Sequence, residues 1–119
     1  MAWTVDLHES FVAELTELDK AIRVAVLAQA KVLEEYGPQL GRPYVDTPYG
    51  STFTNMKELR CDVEKQVWRI AFAFDPERHA ILLVGGNKRG KDQKRFYAKL
   101  IRVADNRFLD YLSNLTKEK

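Results

Sequence analysis

The stretch from Val67 to Asp75 constrains this chain more than any other. Its side chains alternate strictly, with Trp68, Ile70, Phe72 and Phe74 on one side and Val67, Arg69, Ala71 and Ala73 on the other. A period of two is the signature of a strand, in which successive Cβ atoms point to opposite faces. Four large apolar side chains on one face demand cover, since each gains roughly 1.5–3 kcal/mol on leaving water. That face is expected to pack against helices. The opposite face is lined by small residues and carries one arginine, which reads as the floor of an open cleft.

The rest of the chain supplies the cover. Trp3 to Leu7 alternates as a short strand, and a helical segment follows through Phe11, Val12 and Leu15. A longer helix starts at Asp19, a suitable N-cap, and runs to Tyr36 with an apolar stripe of Ile22, Val26, Leu33 and Tyr36, interrupted by Gln29. Gly37-Pro38 stops it. Residues 37–55 hold three of the four prolines and read as an irregular loop. Met56 to Cys61 alternates again, with Lys57, Leu59 and Cys61 on one face and Met56, Glu58 and Arg60 on the other. Asp75-Pro76-Glu77-Arg78 suits a type I turn. His79 to Val84 is apolar on both faces, as in a strand deep in a sheet, and Gly85-Gly86 is expected to end it. A last helix spans about Asp92 to Leu112, with Phe96, Leu100, Val103, Phe108 and Leu112 near helical spacing. These elements predict an α+β fold, one domain over residues 1–119, with helices gathered on one face of a largely antiparallel sheet.

Composition narrows the class. With 45% hydrophobic and 30% charged residues the chain is of ordinary globular character. One cysteine, Cys61, allows no internal disulfide and is expected to fill a small packing site, which suits a reducing cytoplasm. The opening MAWTVDLHES lacks the layout of a secretory signal, and no apolar run approaches the roughly 20 residues needed to span a bilayer. A cytoplasmic protein with no membrane partner is expected. The net charge of +2 is unevenly spread: residues 1–55 carry four basic against eight acidic side chains, and residues 56–119 carry 15 against nine. A basic half of this kind is the electrostatic footprint of a polyanion binder.

Several chemistries drop out. There is no phosphate loop of the GxxxxGK[ST] type and no GxSxG nucleophile turn. One cysteine and two distant histidines, His8 and His79, supply too few ligands for a zinc site, so no metal and no cofactor are expected. His79, after a hairpin turn, reads as a solvated residue at a strand end rather than a general base, and His8 reads as equally bland. What remains is a run of cations between Asn87 and Arg102, namely Lys88, Arg89, Lys91, Lys94, Arg95, Lys99 and Arg102, against only Asp92. The two glycines before it would let that loop approach a ligand closely. Lys57 and Arg60 could extend the cluster, although they project to opposite faces, so only one of them should line a cleft. Such a groove suits RNA, which carries its own nucleophile in the 2′-hydroxyl: the protein need only align it, stabilise the phosphate and move protons. Guanidinium groups fork onto phosphate oxygens. Tyr97 could orient a group, donate a proton or stack on a base, and it also fits an apolar stripe with Ile101, Ala104 and Phe108.

Five motifs in order carry a resemblance: Gly37-Pro38-Gln39-Leu40-Gly41-Arg42-Pro43, Asn55-Met56-Lys57-Glu58-Leu59-Arg60, Trp68-Arg69-Ile70-Ala71-Phe72, Ile81-Leu82-Leu83-Val84-Gly85-Gly86-Asn87-Lys88 and Lys94-Arg95-Phe96-Tyr97. Over essentially the whole chain the sequence resembles the phage-derived HigB-like branch of the RelE/ParE toxin superfamily. The resemblance implies a microbial-ribonuclease-like fold with two N-terminal helices and a C-terminal helix on an antiparallel sheet, and a basic cleft. It implies a type II toxin that cuts mRNA on the ribosome and inhibits translation. It also implies a cognate helix-turn-helix antitoxin of the HigA kind, through which alone the toxin would reach operator DNA. By position, Arg60 and Arg69 match the family's basic strand residues, and Lys88, Arg95 and Tyr97 match its C-terminal basic and aromatic positions, so Arg69, Lys88, Arg95 and Tyr97 are the candidate catalytic residues. Arg60, together with Lys57, Arg89, Lys91 and Lys94 of the cation cluster, makes the candidate RNA-binding set. No histidine–carboxylate pair is evident for the cleft, so proton transfer would fall to Lys, Arg, Tyr or the ribosome. Two other readings remain open within the superfamily: a ParE-like toxin that binds gyrase without cutting RNA, and a degenerate toxin that retains only antitoxin binding.

Overall fold

The alternating stretch forms the middle strand of a five-stranded sheet. The computed structural model describes residues 2–117. In chain order it runs β1 (Thr4–Leu7), α1 (Glu9–Thr16), α2 (Lys20–Tyr36), a 3₁₀ turn (Gly37–Gln39), β2 (Val45–Asp46), β3 (Met56–Val63), β4 (Gln66–Phe74), β5 (His79–Asn87) and α3 (Gln93–Lys117). The strand order is β1-β5-β4-β3-β2. Strands β2 to β5 pair antiparallel, and β1 joins the edge of β5 in parallel from Thr4↔His79 to Leu7↔Leu82.

The large face of β4 behaves as its pattern requires. Trp68, Ile70 and Phe72 are buried against Phe11 and Leu15 of α1 and against Ile22, Val26, Ala30 and Leu33 of α2. Ala30 and Leu33 continue the α2 stripe where Tyr36 was expected to do so. Tyr36 instead lies half exposed at the helix end, because Gly37 breaks the turn beneath it. At Gly37 the backbone has φ +57°, and an added Cβ would sit 2.4 Å from the Trp3 ring, so only glycine fits there. The expected irregular loop contains the short strand β2, which pairs with β3 at Leu59 and Glu58.

Two sequence expectations are corrected. The helices do not gather on one face, since α3 crosses to the other side of the sheet. There Leu100, Ile101, Ala104 and Phe108 bury Met56, Ala71, Ala73, Ile81 and Leu83. The small residues of β4 are therefore a seat for a closely packed helix along much of their length, and not the floor of a cleft. Both apolar stripes of α3 are used, with Phe96, Tyr97, Val103, Tyr111 and Leu112 packing around that core.

Gly85-Gly86 also does not end β5, which continues through both glycines to Asn87. A register shift between Ala71 and Phe72 places a bulge at Leu83, which changes the side-chain alternation. A Cβ on Gly85 would then lie 2.7 Å from Ile70 Cδ1, and one on Gly86 would lie 2.9 Å from Phe96 Cε1. The glycines serve packing from both sides of the strand rather than the approach of a ligand.

Candidate active site

A groove of about 840 Å³ opens beside the N-terminal half of α3, between that helix, β3 and the loop that follows β2. Helical geometry decides which cations face it. Lys94, Tyr97, Ala98, Ile101, Arg102 and Asp105 share one flank of α3 and line this groove. Arg95 and Lys99 lie on the opposite flank and Lys91 just before the helix, around a second groove floored by Gly85, Gly86, Phe96 and Leu100. The run of cations that is continuous in sequence is thus divided by the helix.

On the floor of the first groove stands a carboxylate that residue type alone does not single out. Glu58 projects from β3 and is only 4% exposed. It accepts a 2.6 Å hydrogen bond from the hydroxyl of Tyr97 and lies 3.8 Å from the guanidinium of Arg60. Burial and the hydrogen bond donated to Glu58 push the Tyr97 hydroxyl up to about 12, against the opposing pull of nearby Arg69. At neutral pH Tyr97 therefore remains a donor. Lys88 approaches from the end of β5, its ammonium 5.5 Å above the Tyr97 ring. Arg60 is further held by Asp46 at 3.9 Å, and Asp46 also pairs with Arg42 at 3.0 Å. The Thr47 amide and these arginines keep the Asp46 carboxyl below its usual range.

Arg69 was expected to stand on an open cleft floor, and the structure corrects this. It is 5% exposed, and its Nη1 donates to Asp62 Oδ1 at 2.8 Å and to the Trp68 carbonyl at 2.9 Å. It lies directly across the ladder from Arg60. Two like charges on neighbouring strands repel unless neutralised. Asp62 beside Arg69, with Glu58 and Asp46 beside Arg60, supplies that balance. The Nε atoms of both arginines are nonetheless buried without a hydrogen-bond partner.

The structure brings together Arg60, Lys88, Lys94 and Tyr97, with Arg69 buried beneath them. It does not bring Lys57, Arg95 or Lys91 to that groove. Lys57 points to the α2 side of the sheet and donates to Thr47 Oγ1 at 2.9 Å. Arg89 is exposed in the turn after β5, where its amide bonds the Asn87 side chain at 3.2 Å. Cys61 is buried in the main core, and burial pushes its thiol up to about 12. His8 caps α1 and lies 3.3 Å from Asp110 of α3. His79 meets Asp6 at 2.7 Å across the β1–β5 pair. Both are histidine–carboxylate pairs, and neither lines the groove. The alternation in β3 already puts Glu58 and Arg60 on one face, and attention to cations alone passes over the acid.

Comparison with known proteins agrees with this architecture. The family model described as phage derived protein Gp49-like matches residues 13–109. HigB2 of Mycobacterium tuberculosis, named as a toxin, is 43% identical over 120 residues. That alignment takes in all of this chain but 59% of the relative, so the chain spans about three fifths of HigB2. HigB3 of the same organism, also named as a toxin, is 46% identical over 97 residues, or 82% of each chain. Among solved structures, isolated Escherichia coli RelE superposes with a TM-score of 0.57 at 13% identity, covering 85% of this chain and 97% of that one. Archaeal RelE, from its complex with RelB of Pyrococcus horikoshii, gives a TM-score of 0.56 at 18% identity, covering 76% and 99%. The fold is therefore α+β of the RelE type. The chain belongs to the phage-derived Gp49-like family, with the HigB proteins among its relatives.

Proposed function

We propose that this protein is the toxin of a type II toxin–antitoxin pair, an endoribonuclease that cuts mRNA on the ribosome and so stops translation. The observation that carries the reading is the Glu58–Tyr97 pair on the floor of a groove lined by Arg60, Lys88, Lys94 and Arg102. A carboxylate held among cations is what proton abstraction beside a phosphodiester needs. In this mechanism Glu58 takes the proton of the 2′-hydroxyl, whose oxygen attacks the adjacent phosphorus. The bond to the 5′-oxygen breaks, Lys88 protonates that departing oxygen, and a 2′,3′-cyclic phosphate and a 5′-hydroxyl result. Tyr97 holds Glu58 in place through its 2.6 Å bond. Arg60, whose side chain is one third exposed, and Lys94 bind the phosphate as negative charge builds on it. Arg69 keeps the floor positive from below. No metal or cofactor enters this scheme.

Arg95, Lys91, Arg89 and Lys57 act in this reading at most through the general field that attracts RNA. The HigB relatives, and the RelE crystallised with RelB, support a protein antitoxin as the neutralising partner. The resemblance makes it a helix-turn-helix protein of the HigA kind that carries the toxin to operator DNA. No helix among the described residues is long and apolar enough to cross a membrane. Action in the cytoplasm on ribosome-bound mRNA fits that.

The test is a cell-free translation reaction in which mRNA ends are mapped for the wild type and for Glu58→Gln. Cuts that require translating ribosomes are expected with the wild type. They should fall about 10²–10⁴-fold in the variant, the range for loss of a general base. Intact mRNA with the wild type, accompanied by a DNA-damage response in cells, would move the assignment to a gyrase-directed toxin.

A further inference from the structure

The loop between β2 and β3 forms the wall of the groove opposite α3, and one side chain on it has no structural task. Tyr49 is 95% exposed, the most exposed large apolar side chain among those the structure describes, and it lines the groove. The loop that presents it is firmly held. Ser51 Oγ donates to Asp105 Oδ1 at 2.6 Å, while the amide and hydroxyl of Thr52 donate to Asp105 Oδ2 at 3.0 and 3.1 Å. Asp105 thus ties the loop to α3 across the groove mouth, with Pro48 buried on one side of Tyr49 and Phe53 packed edge-on against Phe108 on the other. Gly50, at φ +99°, makes the sharp reversal just after Tyr49, in a conformation that L side chains rarely adopt. A fixed loop that holds an aromatic ring out of the protein at the rim of a cationic groove is an arrangement suited to a flat, uncharged ligand face beside an anionic backbone.

We propose that Tyr49 is a stacking platform for an unpaired nucleobase of single-stranded RNA, and that Asp105 is the residue that positions it. This rests on the reading of the groove as an RNA site. The groove cations take the phosphates, and the ring, about as wide as a pyrimidine, takes the base next to the cut. Stacking on an aromatic ring tolerates every base but is stronger for purines, whose π surface is larger. Tyr49 therefore contributes affinity together with a purine bias at one position, and Glu58 and Tyr97 contribute neither.

The experiment uses a short uridine-rich RNA with one 2-aminopurine and a 2′-deoxy sugar at the neighbouring nucleotide, which prevents cleavage there. The wild-type protein should quench the probe and bind it. Tyr49→Phe should do the same, and Tyr49→Ala should lose the quench with about a tenfold weaker affinity, the size of one base-on-aromatic stack. Asp105→Ala should lie between them. In mRNA end mapping, Tyr49→Ala should flatten the purine bias beside the cut and raise KM with kcat nearly unchanged. Equal quenching by the wild type and Tyr49→Ala, or no quenching by either, would overturn the platform. Quenching lost in Tyr49→Ala, from a wild type that never cuts mRNA on ribosomes, would uphold the platform and overturn the nuclease assignment alone.

Discussion

The two grooves that flank α3 carry similar rims and different floors. The first has Lys88, Lys94 and Arg102 above Glu58, Arg60 and Tyr97. The second has Lys91, Arg95 and Lys99 above two glycines and the apolar side chains of Phe96, Leu100 and Val103. Positive charge alone therefore does not mark the site. What separates the grooves is the buried polar chemistry under one of them. That chemistry is costly to bury, and a stable fold tolerates it where function requires it. The other floor is ordinary packing, in which glycine lets a strand, an aromatic ring and a core isoleucine come close. Phe96 of the second groove meets Tyr97 of the first edge-on, with ring centroids 5.2 Å apart, so the two floors touch without sharing groups.

The largest expected effect that separates them is on stability. Gly85→Ala would force a methyl against Ile70, whose Cδ1 lies 2.7 Å from where that methyl would sit and which is itself wholly buried. Overpacking of this kind costs about 1–3 kcal/mol. Thermal unfolding should drop by roughly 3–6 °C per kcal/mol for a chain of this size. Cleavage per folded molecule should be unchanged. A tenfold fall in cleavage at full folding would mean that the second floor takes part in the chemistry.

A smaller effect lies at alkaline pH, and a Tyr97 variant isolates the first floor's share of it. Burial pushes the Tyr97 hydroxyl up to about 12 from an ordinary 10.0 and the Cys61 thiol up to about 12 from 9.0, and burial with the hydrogen bond to Asp75 raises the Tyr111 hydroxyl as well. Between those limits the folded chain holds more protons than the unfolded one, so stability is full below about pH 9 and declines as pH rises toward about 12. Tyr97→Phe removes one of these three contributors. Its stability, followed by circular dichroism at fixed urea, should decline less steeply between about pH 10 and 12 than that of the wild type. Parallel declines would show that Tyr97 is not held in solution in the buried, Glu58-bonded position it has in the structure.

How far the sequence could be read follows from the same contrast. Strands and helices were legible because alternation and helical spacing are local: β4, α1 and α2 follow directly from the spacing of Trp68–Phe74, Phe11–Leu15 and Ile22–Leu33. The side of the sheet taken by α3 was not, because Ala71 and Ala73 fit either an open floor or a close helix seat. The bulge at Leu83 was equally hidden, since it depends on pairing with β4 and not on the residues of β5 alone. In the site, Arg60, Lys88, Lys94 and Tyr97 could be selected by residue type. Their separation from Arg95 and Lys91 could be seen only by winding the run from Lys91 to Arg102 onto a helix. Glu58 was visible in the β3 alternation, and its meaning emerged only when Tyr97, 39 residues later, closed on it.

The smallest expected effect is the most discriminating. Neutralising Lys91, Arg95 and Lys99 together removes three positive charges without touching Glu58, Tyr97 or Arg60. Exposed charges act over a Debye length of about 8 Å at physiological ionic strength and about 30 Å at 0.01 M. If the second rim only steers RNA, the triple alanine variant should cut ribosome-bound mRNA within about twofold of the wild type at physiological salt. Its deficit should widen as salt is lowered, because screening no longer hides the missing field. A loss of tenfold or more at physiological salt requires short-range contact. That result would join the two grooves into one RNA track around the N-terminal end of α3 and return Arg95 to the chemistry.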